Sequence, residues 1–353
     1  MLFFVFFEHF VGNQNMVGKF TNTLDESRGK MKKRISLLIA MVMILSSFSA
    51  VFAADEHMVK PNDTLSKIAD MYDTNVDDLV KMNDIKNPNL IITGDMIMLP
   101  ESYNTMDLNE QLVMGTLWVQ ASAEFRALSY QTFALAQMMV EKDLMDTTVT
   151  MPRAIVVDLD ETILDNSPYE AWLVGKDFGY SSKTWNPWIR EGVAPALPGA
   201  VEFLKFCEDN DVEVYYISNR KVLDDNSGYF GTVKNLNALG LPNVDEEHVL
   251  LRTGSSDKTE RRTMAEDGNH IILYMGDNLN DFLHDFAGLS VEDRFAMTDK
   301  YKEEFGKKFI VMPNPMYGEW EGAIYDFNWG ASAAEKSQMR KDHFNLWNYE
   351  VMQ

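Results

Sequence analysis

The stretch Arg153-Ala-Ile-Val-Val-Asp-Leu-Asp-Glu-Thr-Ile-Leu-Asp-Asn-Ser-Pro-Tyr169 decides the fold. An apolar run rich in β-branched residues leads straight into Asp158 and Asp160. Such residues favour strands. In an extended chain, side chains two apart share a side, about 7 Å apart along the strand. Carboxylates so placed repel each other, and burying them is costly unless something compensates. An acidic residue after a strand can also simply cap a helix. The rest of the chain must decide between a cap and a site.

Outward from this stretch, apolar strand candidates recur at 212–218, 248–252, 270–276 and 308–313, with the first at 154–158. Helix candidates fall at 199–209, 230–239, 256–266 and 280–287. Alternation of apolar strands with helices predicts an α/β domain with a mostly parallel sheet covered on both faces. A long helical region over 108–144 precedes it. Its expected packing stripe is Trp118, Ala121, Phe125, Leu128, Leu135 and Met139, with small Thr132 filling a gap.

In such sheets the ligand crevice lies beyond the carboxyl ends of the strands. Polar clusters fall there: Asp158 and Asp160, then Ser218-Asn219-Arg220, then Asp277, Asn278 and Asp281. Lys258 follows the third strand near a helix start. Each has a dull reading as cap, turn or solvated charge. Together they place four carboxylates, a hydroxyl, an amide and a cation in one crevice. Carboxylate oxygens suit a hard ion such as Mg²⁺, which relieves the repulsion between them. A hydroxyl, backbone N–H groups and an ammonium suit a phosphate.

Composition narrows the partners. The 353 residues carry a formal net charge of −22, against the basic footprint that a nucleic-acid polymer requires. An anionic ligand therefore needs local cations. The one cysteine, Cys207, excludes an internal disulfide and reads as a core thiol at helical spacing with Val201 and Leu204.

The motifs Asp-Leu-Asp-Glu-Thr, Ser-Asn-Arg, the Lys and Gly-Asp-x-x-x-Asp-Phe occur in order, and they resemble the four motifs of the haloacid dehalogenase superfamily. More narrowly, the chain over 108–345 resembles the class C acid phosphatases, which have four catalytic aspartates. Leu117–Gln131, Leu197–Phe203 and Pro313–Gly322 add to that likeness. The resemblance implies a Rossmannoid fold with an N-terminal helical extension, and hydrolysis of phosphate monoesters: nucleoside monophosphates, aryl phosphates and cofactor phosphates. It implies Asp158 as nucleophile through an aspartyl-phosphate, and Asp160 as general acid and base. Mg²⁺ is then held by Asp158, the backbone carbonyl of Asp160, and Asp277, with Asp281 accepting from metal-bound water or orienting the site. Ser218 and Lys258 neutralise the phosphoryl oxygens, and Asn219 shapes the site. Trp185 and Tyr317 stand where the family stacks a substrate ring, core packing being the alternative for both. Two rival readings stay open: a non-catalytic wall-binding protein on a degenerate phosphatase fold, and phosphotransfer to another alcohol.

At the other end, residues 31–53 read as an export signal: Met-Lys-Lys-Arg, an apolar stretch, then Val51 and Ala53 before a cut at Ala54. An uncleaved anchor is the alternative. No cysteine follows the apolar run, unlike in the lipoprotein members of the class. Residues 1–30 read as a mis-annotated prefix, with translation starting at Met31. Residues 57–100 predict strand–helix–helix–strand, with Asp63 or Thr64 capping the first helix and Asn75 the second. Val59, Asp63-Thr-Leu65, Ile68-Ala69, Leu79, Asn83, Gly94 and Leu99-Pro100 resemble a LysM (lysin motif) domain, with Asn62 in place of the usual glycine. That resemblance implies binding of peptidoglycan or another N-acetylglucosamine polymer, with Asp63, Thr64, Asn83 and Ile91 as groove candidates. A polar linker over 101–107 joins this module to the phosphatase-like domain at 108–353. After signal cleavage no stable membrane span is expected, and the protein is expected outside the cytoplasm at the cell wall.

Overall fold

The computed structural model describes residues 56–72, 74–99 and 103–347. The proposed prefix and the signal segment lie outside the described residues. Two compact units divide the chain, Met1–Ser102 and Tyr103–Gln353.

In the first unit, β1 (Glu56–Met58) pairs antiparallel with β2 (Met96–Met98), and α1 (Leu65–Met71) and α2 (Val76–Met82) lie between them in sequence. The expected strand–helix–helix–strand order is present. Thr64 caps α1, its Oγ1 accepting from Lys67 N at 3.2 Å. Asn75 caps α2 by accepting from Asp78 N at 2.8 Å. Leu65, Ile68, Ala69, Leu79 and Ile97 form a small buried core, while Tyr72, the residue that ends α1, is 37% exposed. Asn62 takes φ 71°, the left-handed turn that explains why glycine is usual there and why asparagine is tolerated.

The second unit is a five-stranded parallel sheet in the order β5-β4-β3-β6-β7. Its strands are β3 (Arg153–Val157), β4 (Val212–Lys221), β5 (Val249–Arg252), β6 (His270–Gly276) and β7 (Phe309–Val311). Chain order runs outward from β3 to β4 and β5, then resumes on the other side at β6. The switch point between β3 and β6 opens the crevice where ligands bind in such sheets. Ile155, Val157, Val214, Tyr216, Leu273 and Met275 point to one core, and Ala154, Val156, Tyr215, Ile217, Ile271 and Tyr274 to the other. Both faces are therefore covered, as the unbroken apolar strands require. Cys207 is fully buried in the first core, and burial pushes its thiol up to about 12.

Three expectations need correction. The helical region 108–144 is three helices: α3 (Thr105–Glu110), α4 (Leu112–Ala121) and α5 (Ala123–Leu144). Helix α3 opens inside the expected linker, with Asn104 and Asp107 forming a capping box. The buried face of α5 is Phe125, Ser129, Phe133, Ala136 and Val140, whereas Leu128 is 37% exposed. Small Ser129 belongs to this face because its hydroxyl donates to Pro198 O at 2.7 Å, just before α8 (Ala200–Asp209). The helix expected at 280–287 is two 3₁₀ turns, Leu279–Asp281 and His284–Phe286. Arg262 takes the carbonyls of Asn280 and Asp281 at 3.1 and 3.2 Å, acceptors that a continuing helix needs.

Helices not foreseen complete the unit: α6 (Ser167–Leu173), α7 (Ser182–Glu191), α11 (Val291–Lys300), α12 (Glu319–Ile324) and α13 (Ala333–Asp342). The expected helices 230–239 and 256–266 appear as α9 (Ser227–Ala238) and α10 (Thr259–Glu266). Among the described residues, no helix is long and apolar enough to cross a membrane.

Candidate active site

At the carboxyl end of β3, Asp158 still donates its backbone N–H to Met275 O at 2.9 Å, so its position is fixed by the sheet. Its side chain, 7% exposed, meets Lys258 at the N-terminus of α10. Lys258 also holds Asp281 Oδ1 at 2.7 Å. Asp281 in turn accepts from Asn278 N at 3.0 Å, closing a capping box. Gly276 makes this approach possible: a Cβ there would lie 2.3 Å from Asp281 Oδ2. Asp277 receives Asn314 Nδ2 at 2.9 Å.

Oxygens of Asp158, Asp277 and Asp281 all lie within 4.8 Å of one another. The electrostatics reflect the crowding. Burial pushes the Asp158 carboxyl up to about 7, Lys258 pulling it back while Asp281 and Asp160 add to the rise. Burial, Asp281 and Asp158 raise Asp277 well above the usual carboxylate range. Burial alone would lower Lys258, but Asp158 and Asp281 outweigh it and hold the ammonium above its ordinary value. Two carboxylates thus share one lysine, and a third stands beside them. Hard oxygen donors with this excess of negative charge fit a divalent cation of the Mg²⁺ kind.

The side chain of Asp160 lies outside that group. Its Oδ1 accepts from Arg220 Nε at 2.9 Å, Arg220 Nη2 at 2.8 Å and Asn166 Nδ2 at 2.8 Å. Among the described residues, Oδ2 meets only the Ser218 hydroxyl, at 3.3 Å. Ser218 is wholly buried and also accepts from Arg220 N at 3.1 Å, whereas Asn219 and Arg220 line the cavity. The pairing of β4 with β5 slips between Ser218 and Lys221, a local irregularity that re-aims these side chains.

Several residues to which the sequence assigned no role complete this centre. Asn166, fully buried, accepts from Trp188 Nε1 at 2.8 Å and Arg220 Nη2 at 3.2 Å while donating to Asp160 and Glu161. Glu161 sits at φ 56° in the turn after Asp160 and receives the Tyr317 hydroxyl. Its carboxyl lies well above the usual range, through burial first and then Asp160, Asp277 and Glu170. Arg261 donates to Ser218 O at 2.6 Å and Asn219 Oδ1 at 2.7 Å. The signal for Glu161 and Asn166 was present as unassigned polar residues inside the opening stretch. What was missing was the partner across the fold.

A cavity of about 790 Å³ joins these groups to Trp185, Tyr317, Tyr180 and the wall of α12 and α13. Trp185 is 9% exposed, packed edge-on to Tyr169 at 4.9 Å with the Arg220 guanidinium 5.9 Å from its ring centre. Tyr180, not foreseen, is 67% exposed at the same wall, 6.0 Å from Trp185.

This frame matches known proteins. A family model described as HAD superfamily, subfamily IIIB (Acid phosphatase) covers residues 101–320. The chain belongs to this family. A LysM domain model matches residues 57–100. The structure resembles the class C acid phosphatase from Bacillus anthracis at 43% identity and TM-score 0.64, over 68% of this chain and 99% of that one. A second structure of that enzyme, with tungstate bound, matches at 42% identity and TM-score 0.64 over the same shares. Acid phosphatase 1 of Solanum lycopersicum is 28% identical over 176 residues, 46% of this chain. That match spans 57% of the tomato protein's length.

In the LysM unit the groove candidates are engaged internally. Asp63 bonds His57 Nε2 at 2.8 Å and accepts from Lys60 N at 2.8 Å, and the His57 bond chiefly holds its carboxyl below the usual range. Thr64 is the cap of α1. Asn83 ties α2 to β2, accepting from Met98 N at 2.6 Å and donating to Met98 O at 2.8 Å. Ile91 is half-buried against the small core.

Proposed function

We propose that the protein is an exported, wall-associated, Mg²⁺-dependent acid phosphatase that hydrolyses phosphate monoesters through Asp158. The observation that carries this reading is the pairing of Lys258 with both Asp158 and Asp281 beside Asp277, in a cavity large enough for an organic phosphate. The tungstate in the Bacillus anthracis relative supports it, since tungstate is a tetrahedral oxyanion like phosphate.

Asp158, the carbonyl of Asp160, and Asp277 would hold the ion, with Asp281 beside them. When bound, it supplies charge neutralisation for carboxylates and phosphoryl oxygens. The chain's own residues do the rest. Asp158 attacks phosphorus in line, the P–O bond to the leaving group breaks, and an aspartyl-phosphate forms. Asp160 delivers a proton to the departing oxygen and later takes one from the attacking water. With Oδ1 filled by Arg220 and Asn166, Oδ2 is the atom that exchanges this proton. Lys258 and Asn219 face the phosphoryl group, and Ser218 acts by steadying Asp160. Trp185, Tyr317 and the more exposed Tyr180 offer ring surfaces to an aryl or nucleobase leaving group. The 57–100 module tethers the enzyme to peptidoglycan, which an exported protein meets outside the membrane.

The test uses the chain from Ala54 onward and an aryl phosphate at mildly acid pH. Turnover should need Mg²⁺, stop with chelator, and fall by at least ~10³-fold in Asp158→Asn. Equal rates in all three conditions would remove the enzyme reading. Sedimentation with purified peptidoglycan tests the tether.

A further inference from the structure

Glu170 lies in the first turn of α6, where an acidic residue ordinarily faces water and complements the helix N-terminus. Here it is 6% exposed and lines the same cavity as Asp158 and Lys258. No hydrogen-bond donor meets its carboxyl among the described residues. Burial, then the neighbouring Glu321, raises that carboxyl to about 8. Of the other acids nearby, Glu321 accepts from Tyr325 at 2.7 Å and from Arg340 at 2.5 Å, Glu161 accepts from Asn166 and Tyr317, and Glu319 has only the Arg294 guanidinium, 4.0 Å from its Oε2. A buried carboxyl without a partner is costly and needs an explanation.

We propose that Glu170 is a specificity-determining residue that binds the polar edge of a heterocyclic leaving group. This rests on the acid-phosphatase reading above. A neutral carboxyl presents an O–H donor beside a C=O acceptor. That pair complements the ring nitrogen and amino group at the edge of a nucleobase. A second anionic group is a poor fit, because Glu170, Glu319 and Glu321 share this wall and Arg340 is committed to Glu321. The exposed ring of Tyr180 at the same wall gives the heterocycle a face to lie on.

The experiment compares kcat/KM for adenosine 5′-monophosphate and phenyl phosphate in the wild type, Glu170→Gln and Glu170→Leu. Leucine removes the buried carboxyl without leaving a void, so folding should survive. It should lower kcat/KM for the nucleotide by about tenfold or more, chiefly through KM, and leave phenyl phosphate within about twofold. Glutamine keeps a donor beside an acceptor and should retain most nucleotide turnover. Equal losses on both substrates, or a nucleotide rate untouched by leucine, would overturn the proposal alone. No turnover of either ester by the wild type would overturn the phosphatase reading and the proposal with it.

Discussion

At the scale of single residues, the geometry around Asp160 distinguishes its two carboxylate oxygens. Arg220 and Asn166 grip Oδ1, and in the proposed mechanism Oδ2 is the atom that exchanges a proton. Arg220→Lys keeps the charge but loses the planar fork that donates from Nε and Nη2 together. It is expected to lower kcat by about 10- to 100-fold on an aryl phosphate, with KM nearly unchanged. Steady-state kinetics check this, and a loss confined to KM would argue against the assignment. Asn166→Ala removes four side-chain bonds at once and strands buried partners on Asp160, Glu161, Trp188 and Arg220. Each orphaned buried group costs ~1–3 kcal/mol. A marked drop in Tm is expected alongside lost activity. The acidic motif residues were legible in the sequence because their chemistry is written in their type and spacing. Arg220, Asn166 and Glu161 were not, because their roles depend on who faces them across the crevice.

At the scale of elements, the carboxyl ends of the strands set the site. The order β5-β4-β3-β6-β7 puts Asp158 and Asp277 on adjacent strand ends; the strands were readable as apolar runs, but their order was not, because it is set by pairing across the fold. The turn after β6 was misread as a helix because its apolar residues have helical spacing. Arg262, from a different helix, decides otherwise by occupying its carbonyls. Likewise α6 and α12 are too short to show a stripe, and α7 carries Pro187 in its interior, which reads against a helix. Two predictions belong here. Gly276→Ala forces a methyl group against the Asp281 carboxylate, which holds Lys258. Activity should fall by at least ~10-fold while the fold persists, as a kinetic assay beside circular dichroism will show. For α6, linkage fixes a sign. The Glu170 carboxyl is raised from 4.5 to about 8, so the folded chain keeps a proton that the unfolded chain loses. Its contribution is therefore full below pH ~4.5 and lost as pH rises toward ~8. Glu170→Gln removes that loss. The stability gap in favour of the variant should widen with pH, by up to ~1.4 kcal/mol per unit across this window. Denaturant curves at pH 5 and 8 check it, and parallel behaviour of the two proteins would contradict it.

At the scale of the whole molecule, the two units have separate hydrophobic cores. The core around Leu65, Ile68, Leu79 and Ile97 draws on residues 59–99 alone. The phosphatase cores draw on residues from Val119 onward. Every group assigned to the reaction lies between Asp158 and Tyr317, so catalysis needs nothing from the LysM unit. In the sequence, each unit carries its own caps and motifs. Asp63, Thr64 and Asn83, the expected groove residues, are types that also serve turns and caps, and here their side chains do so. It follows that a chain beginning at Tyr103 should keep kcat and KM on a soluble aryl phosphate within about twofold of the longer protein. The same truncation should abolish co-sedimentation with peptidoglycan, leaving activity in the supernatant. If the truncated enzyme still pelleted with the polymer, the acidic phosphatase unit itself would be the wall-binding element. If instead kcat collapsed without unfolding, the LysM unit would have to act on the site, against the independence of the two cores.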